Sequence, residues 1–455
     1  MTGFRAFELT AADYCFPMFY AGCTISFRLK SPDLGVSILA EAVKQVTDRL
    51  PFLTGVVGPS KKRPEIMEVR SETTNGLEKL YPPLCAVQRF PHLRLPRSDL
   101  SSKEENGSYD RDTSHIMVPL QIAALSADHP VIRFQINVLA DGIILSLFAN
   151  HMVIDGTGIG TLIELLAANS GSCQENSQLQ SLSMNSNSDA REVLSTISQE
   201  KANHQALNPS TTHTIRSNDI HNSSLVDYNF HISIDKIKLL HQQALQTSMG
   251  VSQDDVVTAA LWVCLSEIRS RPGENGMHMC SLQRLINARH RLRPTLPAHY
   301  VGNCFVLFNE SAGTKELQTK NMEESRKIIA AACRLRKGLN QVDDRYVRKY
   351  FAQFSQPNDW ASTTIHQSDV TVSSLRRLRV YQNFGPALGD VIDWELLPYA
   401  CPEGVCTIRP ARGANDPWEV NVSLNRTEMD MLRKNSVFSW LVEYESPFKI
   451  FESNV

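Results

Sequence analysis

Between Val131 and Leu139 apolar Ile132, Phe134, Ile136 and Val138 alternate with polar Arg133, Gln135 and Asn137. A period of two predicts a half-buried strand. Ala140-Asp141-Gly142 then reads as a tight turn. Ile143 to Ala149 is nearly all apolar, which predicts a strand buried on both faces. That strand ends on Asn150-His151, and the chain passes through Asp155-Gly156-Thr157-Gly158 into an apolar helix from Ile159 to Ala168. A strand of this kind fixes its end rigidly, while the loop beyond it leaves a side chain open to a cleft.

The same reading extends along the chain. Pro32 to Leu50 repeats apolar residues near the helical period, at Leu34, Ile38, Leu39, Ala42, Val43, Val46 and Leu50. Ser252 to Arg269 is a second amphipathic helix, opened by Ser252 and Asp255 in a capping-box arrangement. Tyr228 to Ile234, Val370 to Ser374 and Trp418 to Leu424 read as strands, and Glu428 to Lys434 as a closing helix. Arg89 to Ser114 is polar and rich in Pro and Ser, a long surface connection. Asn169 to Ser224 is dominated by Ser, Asn, Gln, Thr and His. Part of it, Ala190 to Ala206, has helical character, but the stretch is predicted to bury little apolar surface and to cross between two domains. Interleaved strands and helices make the chain mixed α/β, and 455 residues suffice for two domains.

Composition narrows the function classes. A net charge of −2 gives no case for nucleic acid or an anionic membrane surface. No apolar run approaches the ~20 residues of a membrane span, and the N-terminal residues lack the basic start and apolar core of a signal peptide. The ten cysteines are sparse and mostly sit in apolar contexts, as buried thiols of a reducing compartment do, and the expected location is cytoplasmic. Cys401 and Cys406 have no second pair at zinc spacing, so no metal site is expected.

His151 is the candidate for chemistry. Neutral imidazole can take a proton from a hydroxyl or amine in a transition state, typically worth about a hundred- to ten-thousand-fold in rate. Asp155 would hold the loop or orient the ring, with Gly156 and Gly158 supplying unusual backbone angles. The bare spacing recurs at His231 and Asp235. There the histidine sits inside an alternating strand, and Asp235 reads as a helix cap before Lys236 to Gln246. His231 is therefore read as structural.

His151-Met152-Val153-Ile154-Asp155-Gly156 resembles the HxxxDG motif of the BAHD acyltransferases, plant and fungal enzymes that move acyl groups from coenzyme A to alcohols or amines. Pro51 to Gly55 is similar to the family's PxLxG opening, and Ser252 to Trp262 to its S-x-x-D-x-x-x-A-x-x-W helix. Asn287 to Asn303 resembles N-x-R-x-R-x-x-P-x-x-P-x-x-Y-x-G-N, in a form similar to fungal members. Tyr381 to Gly389 is similar to the D-F-G-W-G region, with Asn383 in place of Asp and Pro386 in place of Trp.

The resemblance implies two chloramphenicol-acetyltransferase-like domains, each a mixed sheet flanked by helices, with an active-site channel between them. The expected division is 1–185, a crossover at 186–224, and 225–455. It implies acyl-coenzyme A, with acetyl the expected group, as co-substrate and no permanent cofactor. The acceptor would be a small-molecule alcohol among fungal secondary metabolites, and the protein a monomer. His151 would be the general base and Asp155 the support of its loop. Asn303, Thr371, Ser373, Ser374, Asn383 and Gly385 would lie in the substrate or coenzyme A region, with Asn303 or the Thr371–Ser374 strand as the candidate oxyanion donor. Arg289, Arg291 and Arg293, on an extended segment stiffened by Pro294 and Pro297, would form a structural basic wall that buttresses the loop or meets an anion. Two alternatives share this fold. One is condensation with an acyl group delivered by a carrier protein, although Asn150 stands where those enzymes usually carry a second histidine. The other is a degenerate, ligand-binding member, which the loss of charge at Asn383 would suit.

Overall fold

A computed structural model describes residues 3–71, 80–96, 116–120, 122, 126–171, 179, 181–199, 213–215, 225–247, 249–269, 279–317, 323–354, 365–397, 402–446 and 452–453. Most of the 89–114 connection, most of 200–224 and Cys401 lie outside them.

Two large sheets organise the described residues. The first has five strands in the order Asp393–Leu396, Tyr20–Arg28, Gly142–Asn150, Ile132–Leu139, Cys85–Phe90. Only its last pair is parallel. Its centre is the hairpin read from the sequence: Leu139 faces Gly142 across the turn. On one side Ile25, Phe27, Leu145 and Leu147 pack against helices Pro32–Arg49 and Gly156–Asn169.

The other face of this sheet is covered as well. Ile132–Leu139 is buried along its whole length, where half-burial was predicted. Ile116, Val118, Leu95 and Leu397 close over that side. The alternating polar residues are therefore internal. Asn137 Nδ2 donates to Ile116 O at 3.1 Å and to Ser146 Oγ at 3.0 Å, which satisfies an amide that water would otherwise serve.

The second sheet has seven strands, in the order Phe305–Gly313, Met279–Asn287, Val370–Ser374, Val405–Ile408, Trp418–Asn425, Leu225–Ile232, Val442–Ser446. Helices Ile234–Leu245, Gln253–Arg269 and Glu324–Leu339 pack on its apolar face around Trp262 and Leu261. The capping box at Ser252 forms, with Ser252 N–H donating to Asp255 Oδ2 at 2.8 Å and Asp255 N–H donating to Ser252 Oγ at 3.2 Å. Ser233, not Asp235, occupies the N-cap of Ile234–Leu245. Asp235 falls in the first turn, where its charge suits the helix dipole.

Two features join the halves. Asp393–Leu396, late in the sequence, completes the first sheet, and Phe384 and Trp394 are buried in the first core. The described part of the crossover is helical, as its Ala190–Ala206 portion suggested, but buries more apolar surface than predicted. Met184–Gln199 is a helix that buries Ala190, Leu194 and Ile197 in the second core. These three fall on one face at helical spacing, so a low average hid an apolar stripe.

Candidate active site

His151 follows directly on the strand Gly142–Asn150, and its main chain is held from both sides. Its N–H donates to Phe19 O at 2.8 Å, and its carbonyl accepts from Asn303 Nδ2 at 2.9 Å. The ring lies in an aromatic cage. It stacks on Phe19 with centroids 4.9 Å apart, tilts against Phe16 at 5.2 Å, and meets Phe305 edge-on at 6.0 Å. Nδ1 is buried with no hydrogen-bond partner on another described residue. Burial pushes the imidazole pKa below its ordinary value and outweighs the opposing charge of Asp155. The ring is thus held neutral, the form that accepts a proton.

Asp155 does not touch the ring through any hydrogen bond. Its Oδ1 accepts from Gly158 N–H at 2.8 Å, so it is the N-cap of Gly156–Asn169. The fully buried Arg289 guanidinium grips it with two bonds of 2.8 Å, Nη1 to Oδ2 and Nη2 to Oδ1. Cys304 N–H adds a third donor to Oδ2 at 3.0 Å. Arg289 also donates to the carbonyls of Tyr300 and Gly302 at 3.0 and 2.9 Å. One carboxylate therefore ties the loop after the first sheet to the segment before Phe305–Gly313.

The glycines act differently from expectation. Positive backbone φ occurs at Gly171, Gly250, Gly385, Gly389 and Gly404, not at Gly156 or Gly158. Both begin the helix in ordinary conformation. Gly158 is required by close approach, since a Cβ there would lie 2.7 Å from Ile154 Cγ2.

The three arginines do not form one wall. Arg289 is buried against Asp155. Arg291 turns to the carbonyls of Leu339, the last residue of the helix Glu324–Leu339, and of Val342 just beyond it. Arg293 is exposed and donates to His290 O and Leu292 O of its own turn. Successive odd positions point apart because this segment is a turn and not an extended strand.

Asn303 is not the oxyanion donor envisaged. Its two N–H groups are spent on His151 O and, at 3.2 Å, on Asp13 Oδ1. Only its carbonyl oxygen is left, and an acceptor cannot stabilise an oxyanion. Ser374 Oγ donates to Asp254 Oδ2 at 2.5 Å on the helix side of its strand. Thr371 and Ser373 point to the opposite side. By register they share that face with Gln283, Asn287 and Phe305, the last of which touches His151. Asn383 and Gly385 lie elsewhere. Asn383 Oδ1 accepts from Gly385 N–H at 2.9 Å, and its Nδ2 donates to Asp390 Oδ1 at 2.9 Å. Gly385, with φ of 85°, abuts Ser170 and Gly171 at the far end of the helix that Asp155 caps. Fourteen helical residues put that turn about 20 Å from the His151 loop. Asp390, and no arginine of the Asn287–Asn303 segment, is its partner among the described residues.

His231 is remote in role. It stacks on Tyr444 with centroids 3.9 Å apart, and burial pushes its pKa down to about 4. The sequence reading missed the cage of Phe16, Phe19 and Phe305, and the buried pair Asp13 and Arg191. The first three come from separate segments, and no linear spacing marks them.

A neutral imidazole thus stands at a strand end, with its loop pinned between the two sheets. Comparison with known proteins carries this to a family. The profile described as the Transferase family matches residues 97–438. An O-acetyltransferase of Aspergillus campestris is 30% identical, the alignment covering 99% of each chain. Fumigaclavine B O-acetyltransferase of Aspergillus fumigatus is 28% identical over 96% of this chain and 97% of its own. Among solved structures, F. graminearum TRI101 complexed with coenzyme A and T-2 mycotoxin superposes with a TM-score of 0.73. The two share 16% identity, over 97% of this chain and 100% of that one. The chain belongs to the Transferase family, as a fungal acyltransferase of the BAHD type. No helix among the described residues is long and apolar enough to cross a membrane.

Proposed function

We propose that this protein transfers an acetyl group from acetyl-coenzyme A to a hydroxyl of a small-molecule secondary metabolite, with His151 as general base. The class of reaction accords with family membership, and the acetyl group and the alcohol acceptor with the names of its fungal relatives. The observation that carries the role of His151 is its cage: a neutral ring on an immobilised loop, with Nδ1 turned inward.

The alcohol and the thioester meet at His151 Nε2, since Nδ1 is the buried nitrogen. Nε2 takes the hydroxyl proton as the oxygen attacks the thioester carbonyl. The tetrahedral intermediate collapses, the C–S bond breaks, and Nε2 returns the proton to the departing thiolate. The products are the acetyl ester and free coenzyme A. Asp155 stays with Arg289 and fixes the loop without touching substrate. Thr371 and Ser373 carry hydroxyls on the Phe305 side of the second sheet, and supply the oxyanion contact. The halves built mainly from residues 1–185 and 225–455 form the two walls of the channel, with Asp393–Leu396 joined to the first sheet and Met184–Gln199 packed in the second core, and the protein works as a cytoplasmic monomer.

The test is incubation with acetyl-coenzyme A and a panel of hydroxylated alkaloids, terpenoids and polyketides, reading free thiol and acetylated product together. Equimolar thiol and ester from at least one alcohol supports the reading. Thiol release no faster than in the absence of any alcohol, across the panel, contradicts it.

A further inference from the structure

The crossover helix Met184–Gln199 has a buried face at positions 187, 190, 191, 194 and 197. Ala190, Leu194 and Ile197 fill it as an amphipathic helix ordinarily would. Asn187 and Arg191 do not, yet they are only 3% and 5% exposed.

Asn187 grips the main chain of a single residue. Its Nδ2 donates to Val301 O at 3.1 Å, and its Oδ1 accepts from Val301 N–H at 2.8 Å. Arg191, one turn further on, donates to Asp13 Oδ2 at 2.9 Å, with its guanidinium 4.3 Å from the centre of the Phe7 ring. The other oxygen of Asp13 accepts from Asn303, whose second N–H holds the His151 carbonyl. An unbroken line of hydrogen bonds, buried except for its part-buried last link, thus runs from the crossover helix to the main chain of the reacting histidine.

Stability is a poor reason for this arrangement. Burying an ion pair costs about as much in desolvation as its attraction returns, and apolar residues of similar volume often serve as well. Direction is what hydrogen bonds add. A general base must sit within hydrogen-bond reach of its proton, and a misplacement of about 1 Å can cost about a hundred-fold in rate.

We propose that Asn187 and Arg191 are positioning residues of the active site: the crossover helix sets where the His151 loop sits, Asn187 by clamping Val301 and Arg191 by fixing Asp13 against Asn303. The inference rests on His151 being the base.

The test is NMR of protein labelled at histidine Cε1, with the His151 signal assigned by its loss in His151→Ala. In Arg191→Gln and Asn187→Ala the signal shifts, and its titration midpoint moves toward the ordinary histidine value as water reaches the ring. Arg191→Lys, which keeps a cation beside Asp13, stays near the parent protein. With an alcohol that the parent acetylates, Arg191→Gln lowers kcat about tenfold or more while KM for acetyl-coenzyme A changes by less than about twofold, and Lys recovers most of the loss. Folded Arg191→Gln and Asn187→Ala with an unchanged His151 signal and titration would overturn the proposal. So would equal losses in the Gln and Lys variants that merely follow the amount of folded protein. Should Arg191→Gln fail to fold, Asn187→Ala, which leaves every charge in place, gives the same readings. The NMR arm needs no turnover, so the relay and the proposed reaction fail separately.

Discussion

Asp155 and Arg289, 134 residues apart in sequence, meet in a two-pronged ion pair that excludes solvent, with both bonds at 2.8 Å. The carboxylate also caps the helix after the His151 loop, so one contact sets both the loop and the join between the sheets. Removing one partner leaves a buried charge uncompensated. Arg289→Met is therefore expected to cost about 3–5 kcal/mol of stability, read as the loss in a denaturant titration. Asp155→Asn keeps the cap oxygen but loses the charge, and is expected to be destabilised as well, with Arg289 left unpaired. A change under about 0.5 kcal/mol in both would show that the pair does not hold the loop.

The two glycines of the loop separate by packing. A methyl at Gly158 meets Ile154 Cγ2 at 2.7 Å beside the buried cap, whereas one at Gly156 approaches only Leu375 Cδ2, at 3.2 Å. Gly158→Ala is expected to lose about 1–3 kcal/mol through overpacking, while Gly156→Ala stays within about 1 kcal/mol of the parent. Thermal unfolding of the two variants side by side checks this. Equal effects would contradict it.

The pH dependence follows from the cage. Burial lowers the His151 pKa, so the neutral base persists to a pH below the ordinary histidine value. The rate should be flat near neutrality and fall only as acid protonates the ring, with a midpoint under ~6.5. Profiles of kcat/KM against pH measure this. A midpoint above ~6.5 would mean that the ring is solvated or stabilised as a cation.

What was legible in the sequence was local. The hairpin, the strand ending at His151 and the helix after Asp155 all follow from periodicity within forty residues, and each formed. What failed was direction and distance. Arg289, Arg291 and Arg293 share a spacing that suggests one face, yet the turn sends each to a different partner. Asn303 looked like a donor toward substrate, but its amide is consumed by His151 O and Asp13, a residue 290 positions away. Gly156 and Gly158 were read for backbone freedom, when the need at Gly158 is space. The pairing of Asp393–Leu396 with Tyr20–Arg28 is non-local, and no pattern within either strand announces it.

The most direct test compares the parent protein with His151→Ala at saturating acetyl-coenzyme A and a productive alcohol, with thermal unfolding under acetyl-coenzyme A in parallel. The expected result is a fall in kcat of about a hundred-fold or more, with the ligand-induced rise in unfolding temperature preserved. Near-parental turnover in the variant would contradict the assignment of His151 as the general base.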